Sequence, residues 1–358
     1  MATVVLAGGG TAGHVEPALA VARQWKISHP HDRLVFLGTS TGLENTLVPA
    51  ANFELQLIPR VRISRRPSAS WLNIPFDLIS SIHQSKKVIE NADVLIGFGG
   101  YVSAPAYIAA KISGVPIVIH EANAKPGWAN RLGSALTEHL AVAHSVESGK
   151  FENALLAGLP LRSDVAKAFS DSQSDWAVSR RTAKVRLGFA ADTPLIFVMG
   201  GSQGSVAINK VIESAIETFN KLGLSVLHSV GKLNALPKAT GGYKPVAYVD
   251  AMADAYLAAD LIIGRSGAVT CSEFRALGRY ALFVPLPIGN GEQFVNAASL
   301  VADNRAQIIT QKDFTADFLR DQITSLLAKS VTAPIQGNGA DLHAAEKIVA
   351  LTEFAMKP

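Results

Sequence analysis

Thr3-Val4-Val5-Leu6-Ala7-Gly8-Gly9-Gly10-Thr11-Ala12-Gly13-His14 is an apolar run that breaks into glycines, and a helix-like segment, residues 17–25, leaves it. A strand, a glycine turn and a helix are expected. Glycines at 8, 10 and 13 have the G-x-G-x-x-G spacing, in which a tightly curled backbone aims its N–H groups at an anion on the helix N-terminus. The same glycines also serve close strand-to-helix packing, so the turn alone leaves phosphate binding open. His14, just past the turn, is placed to face that anion or to act as an acid or base, although a lone histidine is often structural.

Further along, short apolar runs ending in small residues recur at 34–38, 94–97, 117–120 and 140–143, separated by alanine-rich stretches long enough for helices. This alternation predicts a parallel sheet covered on both faces. Near Arg162 the texture turns polar, with the run Ser170-Asp171-Ser172-Gln173-Ser174-Asp175 and a helix-like segment at 175–187. A domain boundary is expected there. Then Leu195-Ile196-Phe197-Val198-Met199 runs into Gly200-Gly201-Ser202-Gln203-Gly204-Ser205 and a helix-like segment, 206–219. The opening theme repeats, and strand candidates follow at 225–229, 261–264, 282–285 and 307–309. The fold class is α/β, two Rossmann-like doubly wound parallel-sheet domains facing a cleft, with ligands outside the carboxyl ends of the strands. The domains expected are 1–162 and 163–340. A terminal helix at 341–356, capped by Asp341, packs back on the first.

The 358 residues, 48% hydrophobic and 17% charged, suit a globular chain of two domains. No basic region precedes the first apolar run, so neither signal peptide nor membrane anchor is expected. The apolar window 94–110 is broken by Gly97, Gly99, Gly100 and Pro105, too interrupted to span a bilayer. One cysteine, Cys271, excludes an internal disulfide and fits a reducing cytosol. No metal-ligand cluster is visible. The net charge of +4 is local, because residues 60–89 hold Arg60, Arg62, Arg65, Arg66, Lys86 and Lys87 against Asp77 alone. Trp71, Leu72, Ile74, Phe76, Leu78 and Ile79 lie between these cations. The combination suits an anionic lipid surface, though apolar residues at such spacing also serve as core. Nucleic-acid binding draws on this segment alone and is disfavoured.

A dinucleotide cofactor would want an acid at the end of the second strand, where Gly38-Thr39-Ser40 stands; the nearest acid, Glu44, lies beyond the strand end. Neither glycine turn ends in the Lys-Ser/Thr of a P-loop. The richer site is Gly264-Arg265-Ser266-Gly267-Ala268-Val269-Thr270-Cys271-Ser272-Glu273, a strand end, a small-residue turn and a helix. Its amides suit a phosphate, and Glu273 suits the vicinal hydroxyls of a ribose, or else complements the helix dipole. Downstream, residues 285–296 gather Asn290, Glu292, Gln293 and Asn296 in a loop suited to reading sugar hydroxyls.

These segments, with Gly97-Phe98-Gly99-Gly100-Tyr101-Val102-Ser103-Ala104-Pro105 and His120-Glu121-Ala122-Asn123, resemble the MurG family of peptidoglycan glycosyltransferases in the same order over nearly the whole chain. The resemblance implies a GT-B fold with an acceptor-binding first domain and a UDP-GlcNAc-binding second one. It implies inverting transfer of GlcNAc to the muramic acid 4-OH of undecaprenyl-pyrophosphoryl-MurNAc-pentapeptide, with no cofactor and no metal. On the donor side it points to Arg162, Ser202, Val249, Gly267, Ala268, Val269, Glu273, Glu292, Gln293 and Asn296. On the acceptor side it points to Thr11, Ala12, Gly13, His14, Tyr101 and Asn123, with His14 the first candidate for the catalytic base and Glu121 the second.

Since that acceptor cannot leave the bilayer, Arg65, Arg66, Trp71, Leu72, Ile74 and Phe76 become the expected membrane patch. The expected location is the cytoplasmic face of the cell membrane, against its anionic inner leaflet. Two departures stand out. The family's double glutamine is Glu292-Gln293, which loses an amide donor, and its Gly-Asn-Pro before the linker is Gly158-Leu159-Pro160, which puts that asparagine's contact in doubt. Alternatives are another GT-B nucleotide-sugar enzyme, such as a UDP-GlcNAc 2-epimerase, and a non-catalytic UDP-sugar-binding protein.

Overall fold

The computed structural model describes residues 1–61, 74–287 and 291–357, with only the main chain of Ile74. The chain divides into two compact units, Met1–Arg162 with Asp341–Pro358, and Ser163–Ala340. The first contains β1 (Thr3–Gly8), α1 (Ala12–Ser28), β2 (Arg33–Gly38), α2 (Glu44–Ala50), β3 (Glu54–Leu57), α3 (Ile74–Ile89), β4 (Val94–Gly99), α4 (Ser103–Ser113), β5 (Ile117–Glu121), α5 (Trp128–Gly133), β6 (His139–Val142) and β7 (Leu155–Leu156). The second contains α6 (Ser163–Ser172), α7 (Trp176–Arg186), β8 (Leu195–Met199), α8 (Val206–Lys221), β9 (Ser225–Ser229), β10 (Tyr243–Val246), α9 (Met252–Ala258), β11 (Leu261–Gly264), α10 (Ala268–Ala276), β12 (Ala281–Phe283), α11 (Glu292–Asn296), α12 (Ala298–Ala302), β13 (Ala306–Ile308) and α13 (Ala316–Thr332). The last helix, α14 (Ala344–Ala355), belongs to the first unit.

The first sheet is parallel in the order β3-β2-β1-β4-β5-β6-β7. Its buried strands send alternate residues to opposite faces, as the two-residue repeat demands. In β1, Val4 and Leu6 join a core with Val15, Leu19 and Trp25 of α1 and Ile348 and Val349 of α14, while Val5 and Ala7 join another with Ala106, Tyr107 and Ala110 of α4. The order reverses between β1 and β4, which opens a crevice at their carboxyl ends. The start of α1, which carries His14, and the turn carrying Tyr101 flank that point.

The second sheet, β10-β9-β8-β11-β12-β13, is also parallel. It reverses between β8 and β11, so residues 200–205 and 265–267 flank its own switch point. One face packs Ile196, Val198 and Ile263 against Ile208, Ile212 and Phe219 of α8 and Leu319, Ile323 and Leu326 of α13.

Several sequence expectations are corrected. The first helix begins at Ala12, ahead of the segment 17–25, with Pro17 inside it. Half of the polar run 170–175 is helical, closing α6 before Asp175 caps α7 by accepting from Val178 N. Strands β3, β7 and β10 lie where no apolar run signals them. The terminal helix starts at Ala344, and Asp341 does not cap it: Asp341 Oδ1 accepts from Leu159 N at 3.2 Å, so its carboxylate is spent on the segment before the linker.

Candidate functional site

In the first unit the site grows from the turn after β1. The N–H groups of Thr11, Ala12 and Gly13 start α1, where no intrahelical acceptor exists for them, so they are available to an anion. Gly10 N is different. It donates to Glu44 Oε2 at 2.8 Å, and Thr39 donates its N (2.8 Å) and Oγ1 (3.1 Å) to Glu44 Oε1. Glu44 is fully buried, and a Cβ on Gly38 or Gly42 would strike it, so the chain is shaped around this carboxylate. Sequence reasoning set Glu44 beyond the strand end, whereas its side chain returns to the end of β2. Even so, its two oxygens are occupied by three protein donors and are not offered to a ribose.

The half-buried His14 turns Nδ1 toward Gly9 O (3.1 Å) and Thr11 Oγ1 (3.2 Å). Because a carbonyl only accepts, Nδ1 carries the proton and Nε2 keeps its lone pair. Nε2 has no hydrogen-bond partner among the described residues and lies beside the turn at Gly99. Burial lowers the His14 pKa from the ordinary histidine value; the Glu121 carboxylate, the Gly9 carbonyl and the Glu44 carboxylate oppose that shift. The ring is therefore neutral at pH 7, as a base must be.

Glu121, at the end of β5, is buried and saturated. Oε1 accepts from Asn123 N (2.8 Å) and Asn123 Nδ2 (3.1 Å), and Oε2 from Gly127 N (2.9 Å) and Asn130 Nδ2 (3.0 Å). Four donors occupy its two oxygens, so it organises the turn after β5. Asn130 also accepts from Tyr107 Oη at 2.7 Å and donates to His120 O at 3.2 Å. Sequence reasoning missed Asn130 and Tyr107, whose roles depend on α4 and α5 packing over β5.

Tyr101 is exposed, with Arg60 over its ring at 5.7 Å and Trp128 at 6.4 Å. Arg162, expected at the nucleotide, belongs to the first unit and pairs with Glu16 of α1 at 3.8 Å. Of the expected membrane patch, Arg65, Arg66, Trp71 and Leu72 lie outside the described residues. Phe76 is 73% exposed and Ile79 65%, so this part of α3 is not core.

In the second unit, α10 opens at Gly267 with Ala268 and Val269 as its first two residues, so all three expected amides lie at one helix N-terminus. Glu273 is the sixth residue and buried, beyond the first turn where a carboxylate complements the dipole. Cys271, on the same helix, is buried and its thiol is pushed up by desolvation, which removes it as a nucleophile. Ser202 lies half-buried in the turn after β8, and Val249 is buried after β10.

Asn296 is buried and donates to Ser266 O at 3.4 Å, which ties α11 to the turn before α10. Gln293 Oε1 accepts from Leu286 N at 3.0 Å; Glu292 is half-buried beside it. Residues 288–290, Asn290 among them, lie outside the described residues. Arg265 holds the frame by donating to Val284 O (2.8 Å), Pro285 O (3.1 Å), Ser205 Oγ (2.8 Å) and Gln311 Oε1 (2.7 Å). The sequence does not mark that scaffold role.

Residues 4–142 match the glycosyltransferase family 28 N-terminal domain, and 195–350 the glycosyltransferase family 28 C-terminal domain. The chain is 45% identical over 326 residues to the UDP-N-acetylglucosamine–N-acetylmuramyl-(pentapeptide) pyrophosphoryl-undecaprenol N-acetylglucosamine transferase of Corynebacterium glutamicum, across 90% of this chain and 89% of the relative. To the enzyme of the same name from Paenarthrobacter aurescens it is 43% identical over 333 residues, across 91% and 87%. Among solved structures it is similar to Acinetobacter baumannii MurG, with TM-score 0.68, 27% identity and coverage of 98% and 100%. The UDP-GlcNAc 2-epimerase of Neisseria meningitidis, at TM-score 0.60 and 15% identity over 98% and 99%, shares the fold.

Proposed function

The chain belongs to glycosyltransferase family 28, and from that premise we propose how its two units divide one transfer reaction. Its paired parallel sheets have the GT-B fold. It is an N-acetylglucosaminyltransferase that moves GlcNAc from UDP-GlcNAc to the 4-OH of MurNAc in undecaprenyl-pyrophosphoryl-MurNAc-pentapeptide. The relatives of that activity, matched over nine-tenths of the chain, carry this reading.

In the step we assign, the acceptor O4 attacks the anomeric carbon as its bond to the UDP oxygen breaks, with inversion. His14 Nε2 takes the hydroxyl proton. The departing diphosphate keeps the bonding electrons and is met by the amides at the start of α10, which are oriented before the charge develops. Glu273 receives the ribose hydroxyls, Gln293 and Asn296 read the sugar, and the amides of Thr11, Ala12 and Gly13 hold the acceptor's diphosphate. Replacing His14 by Ala should lower turnover by about 10² to 10⁴ with UDP-GlcNAc affinity unchanged, the range for general-base assistance. Wild-type turnover in that protein would remove His14 from the role.

Membrane apposition is the second part of the proposal. No helix among the described residues is long and apolar enough to cross a membrane. Exposed Phe76 and Ile79 sit in the segment that carries the chain's basic excess, which suits peripheral contact with the anionic cytoplasmic leaflet. Charge reversal at Arg65 and Arg66 should weaken binding to anionic vesicles by about 1 kcal/mol per site or more. Unchanged partitioning would speak against the surface.

A further inference from the structure

Gly9 O and Gly10 N are the two ends of one peptide group. On one side its N–H is held by Glu44 Oε2 at 2.8 Å; on the other its carbonyl faces His14 Nδ1 at 3.1 Å. We propose that Glu44 is a positioning residue which, acting through this single peptide plane, fixes the His14 ring with its proton on Nδ1 and its base nitrogen, Nε2, turned outward. The inference rests on the reading of His14 as the base and adds the group that orients it.

Three observations carry it. Glu44 is fully buried, yet both its oxygens have donors, so the carboxylate is retained inside the unit by a built set of partners. Those partners belong to the turns after β1 and β2, so Glu44, the first residue of α2, fixes the height of the glycine turn against its neighbour. Rotating the Gly9–Gly10 peptide away would break the bond to Glu44 and withdraw the carbonyl from His14 in one motion. Hydrogen bonds in such a chain also polarise one another, so a carboxylate at one end strengthens the carbonyl at the other as an acceptor.

The charged groups facing the ring are Glu121 from β5 and Glu44 from α2, and both favour its protonated form. A glutamine at 44 can still accept from Thr39, but its amide NH₂ would then meet the Gly10 N–H, donor against donor.

The test is a kinetic cycle of wild type, Glu44→Gln, His14→Ala and the double variant, assayed for GlcNAc transfer with UDP-GlcNAc and a short-chain lipid acceptor. Glu44→Gln is expected to lower kcat about tenfold or more while KM for UDP-GlcNAc holds, and to have no further effect in the His14→Ala background. Its kcat profile should lose activity at a lower pH than wild type, since one of the two charges favouring protonated His14 is gone. Full turnover of His14→Ala would remove the base role and this couple together. Loss in His14→Ala alongside full turnover of Glu44→Gln, or equal losses from Glu44→Gln in both backgrounds, would remove the couple alone. Should Glu44→Gln not fold, ¹⁵N NMR of the wild-type His14 ring decides: the Nδ1-protonated tautomer supports the proposal and the Nε2-protonated one overturns it.

Discussion

His14 gathers most of the local physics of the first unit: a glycine turn that brings it to the switch point, a carbonyl that sets its tautomer, and two buried carboxylates that favour its charged form. Burial prevails, holding its pKa below the ordinary histidine value. The rate should therefore hold as pH falls to the usual histidine range and drop only below it, which a kcat/KM profile from pH 5 to 8 would measure. A drop centred above pH 6.5 would contradict this assignment. Glu121 acts differently. Its Glu121→Gln variant must leave two of the four donors facing an amide NH₂, so the first unit should lose at least about 1 to 3 kcal/mol by denaturant titration. His14 could be found in the sequence because its meaning is local, five residues from the glycine it bonds. Glu44 could not, because its role depends on the register that sets the β2 turn beside the β1 turn, which no short window contains.

At the scale of elements, strands buried on both faces announce themselves as continuous apolar runs, so β1, β2, β4, β5, β8, β9 and β11 could be read directly from the sequence. Three of the four edge strands do not. In β3 and β7 no residue is fully buried, and β10 carries Pro245, so neither composition nor alternation separates them from loops. Helix bounds failed where tertiary contact overrode a local signal, as at Asp341, whose carboxylate serves Leu159 instead of a cap. Close packing also explains Gly97 in β4, where an added Cβ would run into the Tyr107 ring of α4. Gly97→Ala is expected to destabilise the first unit by about 1 to 3 kcal/mol, the usual cost of overpacking a core. A melting temperature equal to wild type would show that the ring can yield.

Across the whole molecule, each unit buries one neutral histidine. His120, bonded to Gly158 O at 2.9 Å, and His228, between Tyr243 Oη (2.8 Å) and Asn209 Oδ1 (3.1 Å), are both pushed down to about 4 by desolvation. A folded pKa below the unfolded one means the unfolded chain binds more protons between those values. Stability is thus full above about pH 6.5 and falls as pH drops toward 4, by up to about 1.4 kcal/mol per pH unit for each histidine. Urea unfolding at pH 7.5, 6 and 5 would reveal the slope; equal stability at all three would contradict it.

The same two-unit plan was legible in the sequence because each glycine turn follows its own buried strand, while the proposed donor site needed α10 and α11 brought together through Asn296 and Ser266. The central claim concerns the reaction these units perform. Its most direct measurement is incubation with UDP-[¹⁴C]GlcNAc, a short-chain polyprenyl-pyrophosphoryl-MurNAc-pentapeptide and anionic vesicles, followed by extraction of the lipid phase. Label in the lipid, released only with equal UDP and lost when the acceptor is omitted, is the predicted result. Label that stays in water as free sugar or as an epimerised nucleotide sugar, with the lipid unlabelled, would contradict it.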